Sequence, residues 1–405
     1  MDLRYGPEYE AFRSELRAFL AEQRAAAPRP SFGEGLLTDT KLAPWQRLLI
    51  ERGYAARTIP KAYGGGGFAP DPLIAAIIAE EFRAAGVPGP ASGQGIDMLV
   101  PTLLEHGSEE QKQRWIAPTL RGELIWCQGY SEPGAGSDLA SLATAGRVDG
   151  DTIVVNGQKI WTSTAHVAQM MFGLVRTEPE AKKHAGISYL LIPMKTPGID
   201  ARPLTMMQGG EDFCEVFFDG ARIPAMNIVG RRGEGWKVSR STLKHERMLI
   251  GDSMGARIQL DALVALARQA QRDGRPALEH PVVRQRLAEV AGYVATQEWA
   301  VARMLTAIHK NEDAKAVSEM LMTKLLGTNV QQMIAKLGLD LIPEAGLREP
   351  DRSEVAMGIR AFTPGRWVSQ YMFSLAITLA GGTSNVQRNI IGERVLGLPR
   401  DQRPS

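Results

Sequence analysis

The sequence predicts a mainly α-helical protein with a central β domain, and three observations predict it. Apolar residues recur at helical spacing up to about residue 125. The period drops to two, with turn pairs, from about 126 to 240, and a long helical stripe follows. The expected architecture is an N-terminal α-helical domain over 1–125, a middle antiparallel β-barrel or sandwich over 126–240, and a C-terminal four-helix bundle over 241–405. A chain of 405 residues has room for two to three domains at about 150 residues each.

In the first part, residues 8–26 are rich in Ala, Leu, Glu and Arg, with Phe12, Leu16, Phe19 and Leu20 on one amphipathic face. Shorter helices are expected over 45–53, 72–85, 97–106 and 109–120, with Gly53, Gly86, Gly107 and Gly122 as stops. Four consecutive glycines, Gly64 to Gly67, mark a loop: a flexible surface connection or a turn that contacts substrate. In the middle part, Asp149-Gly150 and Asn156-Gly157 flank a strand at 152–155, and Asp219-Gly220 follows Val216-Phe217-Phe218. Such pairs allow the positive φ of tight hairpins. Strands at 167–175, 187–192 and 213–218 complete the set. In the last part, Val283, Leu287, Val290, Val294, Val301, Met304 and Ile308 form a stripe with only Gln297 polar on its seam, and helices are expected near 240–270, 280–310, 313–338 and 363–392.

Composition narrows the function. Apolar residues make up 44% and charged residues 23%, so neither disorder nor a fibre is expected. Forty-seven Lys and Arg against 45 Asp and Glu leave a charge of +2, with no general attraction to nucleic acid or to an anionic membrane. Cys127 and Cys214 cannot make a disulfide scaffold and fit a reducing compartment. The N-terminus lacks the pattern of a secretory signal, and the uncharged stretch 367–387 carries Ser, Thr, Asn, Gln and a Gly-Gly pair. A cytoplasmic protein without a membrane span is therefore expected. The six histidines form no metal-ligand pair, no Gly-x-Ser-x-Gly elbow or phosphate loop occurs, and the run from Gly134 to Leu139 lacks the third glycine of a dinucleotide fingerprint.

What remains is four segments in a particular order. They are Gln128-Gly129-Tyr130-Ser131-Glu132-Pro133-Gly134-Ala135-Gly136-Ser137-Asp138, then Asn156-Gly157-Gln158-Lys159-Ile160-Trp161-Thr162-Ser163-Thr164, then Lys244-His245-Glu246-Arg247, and Gly381-Gly382-Thr383-Ser384-Asn385-Val386-Gln387-Arg388. The first can present backbone N–H groups and the hydroxyls of Tyr130, Ser131 and Ser137 to a polar ring or a pyrophosphate. The second places Trp161 beside three hydroxyl residues, suited to packing along a flat ring; a core tryptophan with turn serines is the plainer alternative.

Together these segments resemble the acyl-CoA dehydrogenase family, over nearly the whole chain. The resemblance implies an N-terminal helical domain, a middle β domain and a C-terminal four-helix bundle. It also implies non-covalent FAD, an acyl-CoA substrate, an electron-transfer flavoprotein as electron acceptor, and a dimer or tetramer. Carried over by position, Gln128, Tyr130, Ser131, Gly136 and Ser137 border the flavin and its pyrophosphate, with Ser137 also serving the acyl-CoA. Trp161, Thr162 and Ser163 meet the flavin, Ser163 near N5, and Thr383 and Asn385 contact its adenosine diphosphate part. The family reaction removes the α proton as H⁺ and the β hydrogen as hydride, leaving a trans-2-enoyl-CoA. Many members carry the basic glutamate just before Gly-Thr-Ser, where this chain has Gly381. Gly381 can still donate its N–H to the thioester oxygen. A subset, including isovaleryl, long-chain and steroid-side-chain enzymes, places the base before an arginine on the first helix of the last domain. That assigns the base to Glu246 and a supporting or substrate role to Arg247. Charged helix residues are ordinarily solvated, so position alone gives Glu246 no such role.

Two departures fall on inter-subunit cofactor contacts. The family's Arg-x-x-Phe-Gly stretch appears as Gln271-Arg272-Asp273-Gly274-Arg275-Pro276, with Arg272 or Arg275 as substitutes. Its glycine-rich loop is reduced to the run from Leu337 to Gly346. Both leave room for a heterotetramer with a related chain. A non-catalytic partner subunit and a flavin oxidase or monooxygenase on the same fold are the alternatives.

Overall fold

The computed structural model describes residues 6–28, 42–250, 253–310, 312–355 and 363–399. They form two compact units: Met1–Pro203 with Asp212–Thr242, and Leu204–Glu211 with Leu243–Ser405.

The first unit opens with helices α1 (Pro7–Gln23), α2 (Leu42–Glu51), α3 (Pro72–Ala85), α4 (Val100–His106) and α5 (Glu109–Leu120). Asp71 caps α3 by accepting from the N–H groups of Leu73 and Ile74, and Ser108 with Gln111 closes a capping box on α5. Leu16, Leu20, Leu49, Ile77 and Phe82 fill the core between α1, α2 and α3. The four-glycine segment is neither a loose connection nor an open turn. The N–H groups of Gly65, Gly66 and Gly67 donate to the carbonyls of Pro60, Ala56 and Ile59, and a Cβ on Gly65 would meet Ile59 O at 2.3 Å.

The β domain follows as β1 (Trp126–Gly129), β2 (Ala145–Asp149), β3 (Thr152–Ser163), β4 (Met170–Arg176), β5 (Ile187–Pro193), β6 (Ile199–Leu204), β7 (Phe213–Pro224) and β8 (Ile228–Val229). The sheet runs β6-β7-β3-β2-β4-β5-β8, with β1 also on β4. Its class is the expected one, but the sheet is mixed. β1 and β2 run parallel to β4, and each reaches it through intervening strands, as parallel partners need a long connection. Only Asp149-Gly150 makes a hairpin, between β2 and β3. Asn156-Gly157 lies inside β3 and Asp219-Gly220 inside β7, where the register shifts between Val155 and Gly157. The pair forms a bulge in which Gly157 takes φ 144° and Asn156 Oδ1 accepts from Gly220 N at 2.8 Å. Helix α5 is tied to this sheet by Gln111 Nε2, which donates to Met226 O at 2.7 Å and Ile228 O at 2.8 Å.

The second unit takes the end of α6 (Gly235–Ile250), then α7 (Ser253–Gln269), a small hairpin of β9 (Gln271–Arg272) and β10 (Arg275–Pro276), α8 (Pro281–His309), α9 (Asp313–Asp340), α10 (Pro364–Ile377) and α11 (Ser384–Arg394). Val283, Leu287, Val290 and Val294 of α8 pack with Val330, Ile334, Leu337 and Trp367. The stripe is buried as far as Gln297; beyond it Val301 and Met304 are half-buried and Ile308 is 39% exposed. The single helix expected over 363–392 is two, because Gly381 and Gly382 take φ of 61° and 97° and end the first. The start of the reduced glycine loop is helical too: Leu337 to Asp340 close α9, and Gly338 admits the indole of Trp367 against the helix backbone. No helix among the described residues is long and apolar enough to cross a membrane.

Candidate active site

In the first unit, the loop after β1 lies beside the C-terminal half of β3. Ile160 N donates to Ser131 O at 2.9 Å, and Glu132 and Ala135 exchange backbone bonds in a tight turn. Beneath them lies a buried ion pair to which the sequence reading gave no role. Lys159 Nζ donates to Glu132 Oε1 at 2.7 Å and to Tyr130 O at 3.2 Å, and Glu132 also accepts from Ala143 N at 2.6 Å and Thr144 N at 3.0 Å. The two side chains are 1% and 7% exposed. Burial lowers the Lys159 ammonium to about 8, while Glu132 is held below the usual carboxylate range because its ammonium and N–H partners outweigh burial. The signal in the sequence was there: a lysine at an inward position of a strand, and a glutamate inside a glycine-rich run.

Trp161 follows at a second register shift in β3, with φ 59° and its indole 54% exposed against the edge of Phe213 at 6.2 Å. A left-handed non-glycine residue costs roughly 1–2 kcal/mol, and such strain gathers at functional sites. Thr164 shares it, at φ 58°, with its N–H bonded to Asp212 O at 2.8 Å. Ser163 is half-buried; Gly136 and Ser137 are exposed, and a Cβ on Gly134 or Gly136 would meet open space. An exposed flat ring, a nearby hydroxyl and a glycine turn with free space fit a flat, polar-edged cofactor such as FAD. Two side chains are placed otherwise than expected. Tyr130 is 5% exposed, its ring edge-on to Phe172 and Tyr189, and Thr162 is fully buried. Tyr130, just past β1, and Thr162, in β3, both turn into the domain, so at those positions only backbone groups are left for a ligand. Cys127 and Cys214 are also fully buried; burial pushes the Cys127 thiol up, away from the thiolate that redox chemistry needs.

In the second unit, Gly381 sits in the 378–383 turn between α10 and α11. Gln387 Nε2 donates to Gly381 O at 2.9 Å, and Thr383 caps α11 by accepting from Val386 N at 3.3 Å. Asn385 is exposed in the first turn of α11. Lys324 of α9 is fully buried and donates to Thr378 O at 3.1 Å and Gly382 O at 2.7 Å. Burial lowers its pKa and the Glu246 carboxylate opposes that shift. Glu246, on α6 and half-buried, therefore stands in electrostatic reach of the same ammonium that holds the Gly381 turn. The side chain of Arg247 lies outside the described residues. Elsewhere in this unit, Gln271 and Arg272 of the altered arginine stretch and Leu341 and Pro343 of the altered glycine loop line one cavity of about 450 Å³, beside the Arg286–Asp340 ion pair at 2.8 Å.

Family models describing the N-terminal, middle and C-terminal domains of acyl-CoA dehydrogenase match residues 6–123, 127–221 and 233–396. The chain belongs to the acyl-CoA dehydrogenase family, oxidoreductases of lipid catabolism. It is 38% identical over 403 residues to acyl-CoA dehydrogenase IpdE1 of Mycobacterium tuberculosis, across 97% of this chain and 99% of that one. Among solved structures it is similar to the Tcur3481-Tcur3483 steroid ACAD, with a TM-score of 0.79 and 30% identity over 99% of this chain and 100% of the other. The ChsE4-ChsE5 complex of Mycobacterium tuberculosis matches with a TM-score of 0.76 and 30% identity, over 99% and 100%.

Proposed function

We propose that this acyl-CoA dehydrogenase is FAD-dependent and forms a trans-2-enoyl-CoA, with Glu246 as the base. The observation that carries the reading is the coupling of Glu246, through Lys324, to a turn whose own glutamate position is filled by Gly381. The thioester oxygen accepts from the Gly381 N–H, which stabilises enolate-like charge as the α proton leaves. Glu246 takes that proton, and Arg247 supports the substrate. Bound FAD supplies the acceptor for the β hydride, and electrons pass on to an electron-transfer flavoprotein. Gln128, Ser131, Gly136, Ser137, Trp161, Ser163, Thr383 and Asn385 hold the cofactor, Tyr130 and Thr162 by their backbones, and Ser137 also meets the acyl-CoA. The likeness to a structure titled a steroid ACAD supports a bulky, ring-bearing acyl group.

Anaerobic bleaching of the flavin tests this. Glu246→Gln is expected to leave FAD bound and to slow bleaching by acyl-CoA by several orders of magnitude. Bleaching at the wild-type rate would remove Glu246 from the role of base. A panel of linear, branched and ring-bearing acyl-CoAs in the same assay ranks the acyl group.

One observation favours a second reading, a chain that works only beside a related partner. Two similar structures carry paired-chain titles, and both motifs expected at inter-subunit cofactor contacts are altered here.

A further inference from the structure

Lys324 takes no proton and holds no ligand in the chemistry above, yet its side chain is fully buried on α9. Burying an ammonium is costly unless its donors are matched. Its partners are the carbonyls of Thr378 and Gly382, both in the turn that carries Gly381. Gln387 holds the Gly381 carbonyl in the same way. In a planar trans peptide the carbonyl and the following N–H point in opposite directions. Fixing the carbonyls of Gly381 and Gly382 from within the bundle therefore turns the N–H groups of Gly382 and Thr383 away from Gln387 and Lys324. The left-handed φ at Gly381 and Gly382 gives this turn few ways to repeat that geometry unaided.

We propose that Lys324 is a positioning residue of the proton-abstraction site: through the Thr378 and Gly382 carbonyls it ties down the turn on both sides of Gly381. The inference rests on Glu246 being the base. Lys324 is sealed from solvent and acts only through its neighbours. Its two hydrogen bonds hold the turn on both sides of Gly381, at the Thr378 and Gly382 carbonyls.

The test uses the full-length FAD enzyme and the acyl-CoA that bleaches the wild-type flavin fastest in the panel. Lys324→Met is expected to slow bleaching at saturating acyl-CoA by at least about tenfold. Its KM and FAD content should stay near wild type, while deuterium uptake rises across the peptide 378–387. Lys324→Arg, which keeps charge and donors, should recover most of the rate. Wild-type bleaching and exchange in Lys324→Met overturn the proposal. So does a rate loss that only tracks FAD loss and is not recovered by Lys324→Arg. If Lys324→Met does not fold, Lys324→Arg and Lys324→Gln decide: fast and slow respectively support the proposal, and equal rates overturn it. Glu246→Gln separates the two assignments. If it bleaches normally, the base assignment fails and this inference with it; if it is inert while the Lys324 variants are normal, only this inference fails.

Discussion

Lys159 carries the steepest local energetics among the described residues of the sheet domain. Its ammonium is buried against Glu132 beneath the loop proposed to border the flavin. Removing one partner leaves a buried charge, at a cost of about 3–5 kcal/mol, whereas replacing both by apolar side chains is often close to neutral. Lys159→Met and Glu132→Gln are each expected to lower unfolding free energy by that amount and to release FAD on gel filtration. The double variant should regain most of the stability. If each single variant holds FAD like wild type, the pair does not support the cofactor loop. A pH dependence follows from the ammonium at about 8, below the ordinary lysine value. Between about 8 and 10.4 the unfolded chain binds more protons than the folded one at this site, so stability rises with pH there. Urea unfolding of wild type minus Lys159→Met should therefore climb over that window. The charges themselves were plain in the sequence; that they face each other was not.

At the scale of elements, β3 shows how the same residues allow two structures. Asn-Gly and Asp-Gly read as hairpin turns, yet here they form facing irregularities in two paired strands. Both motifs supply positive φ, and only the partners of β3 on its two sides, β2 and β7, decide that the chain runs on. The site depends on that choice, because the long strand carries Lys159 to the loop and Trp161 to the surface. A Cβ on Gly157 would lie 2.8 Å from the Thr144 backbone, next to the N–H that Glu132 accepts. Gly157→Ala is expected to destabilise by about 1–3 kcal/mol and to weaken FAD retention, measured by melting temperature and cofactor absorbance. Unchanged retention with a lowered melting temperature would limit the bulge to a structural role. The break between α10 and α11 is the helical counterpart. The uncharged run 367–387 hides it, and left-handed Gly381 and Gly382 enforce it.

At the scale of the molecule, two large apolar side chains of α8 are exposed: Trp299, off the stripe, and Ile308 at its end. An exposed Trp on a long bundle helix is suited to covering by another dehydrogenase chain, a copy of this one or a relative. Trp299→Glu is expected to shift the assembly to smaller species in sedimentation velocity, with the helical CD signal unchanged. Sedimentation identical to wild type would place the contact elsewhere. The same purification separates the two functional readings: FAD at one per chain and activity alone support the complete enzyme, while both appearing only on co-expression with a related chain supports the partner subunit.

By itself the sequence determined the class of fold, the order of its three parts and the family, because periodicity and four short motifs are local properties of the chain. It also named Gly381 and Glu246, but hid the turn at the first and gave the second no neighbours. Only the tertiary structure decided which charges are buried together, since Glu132 with Lys159 and Lys324 with the 378–382 turn are pairings across distant segments. It also decided that Tyr130 and Thr162 face inward, the second where a register shift in β3 resets the alternation of the strand. Motifs specify backbone conformations and residue types; desolvation and its compensation exist only once the chain has closed around them.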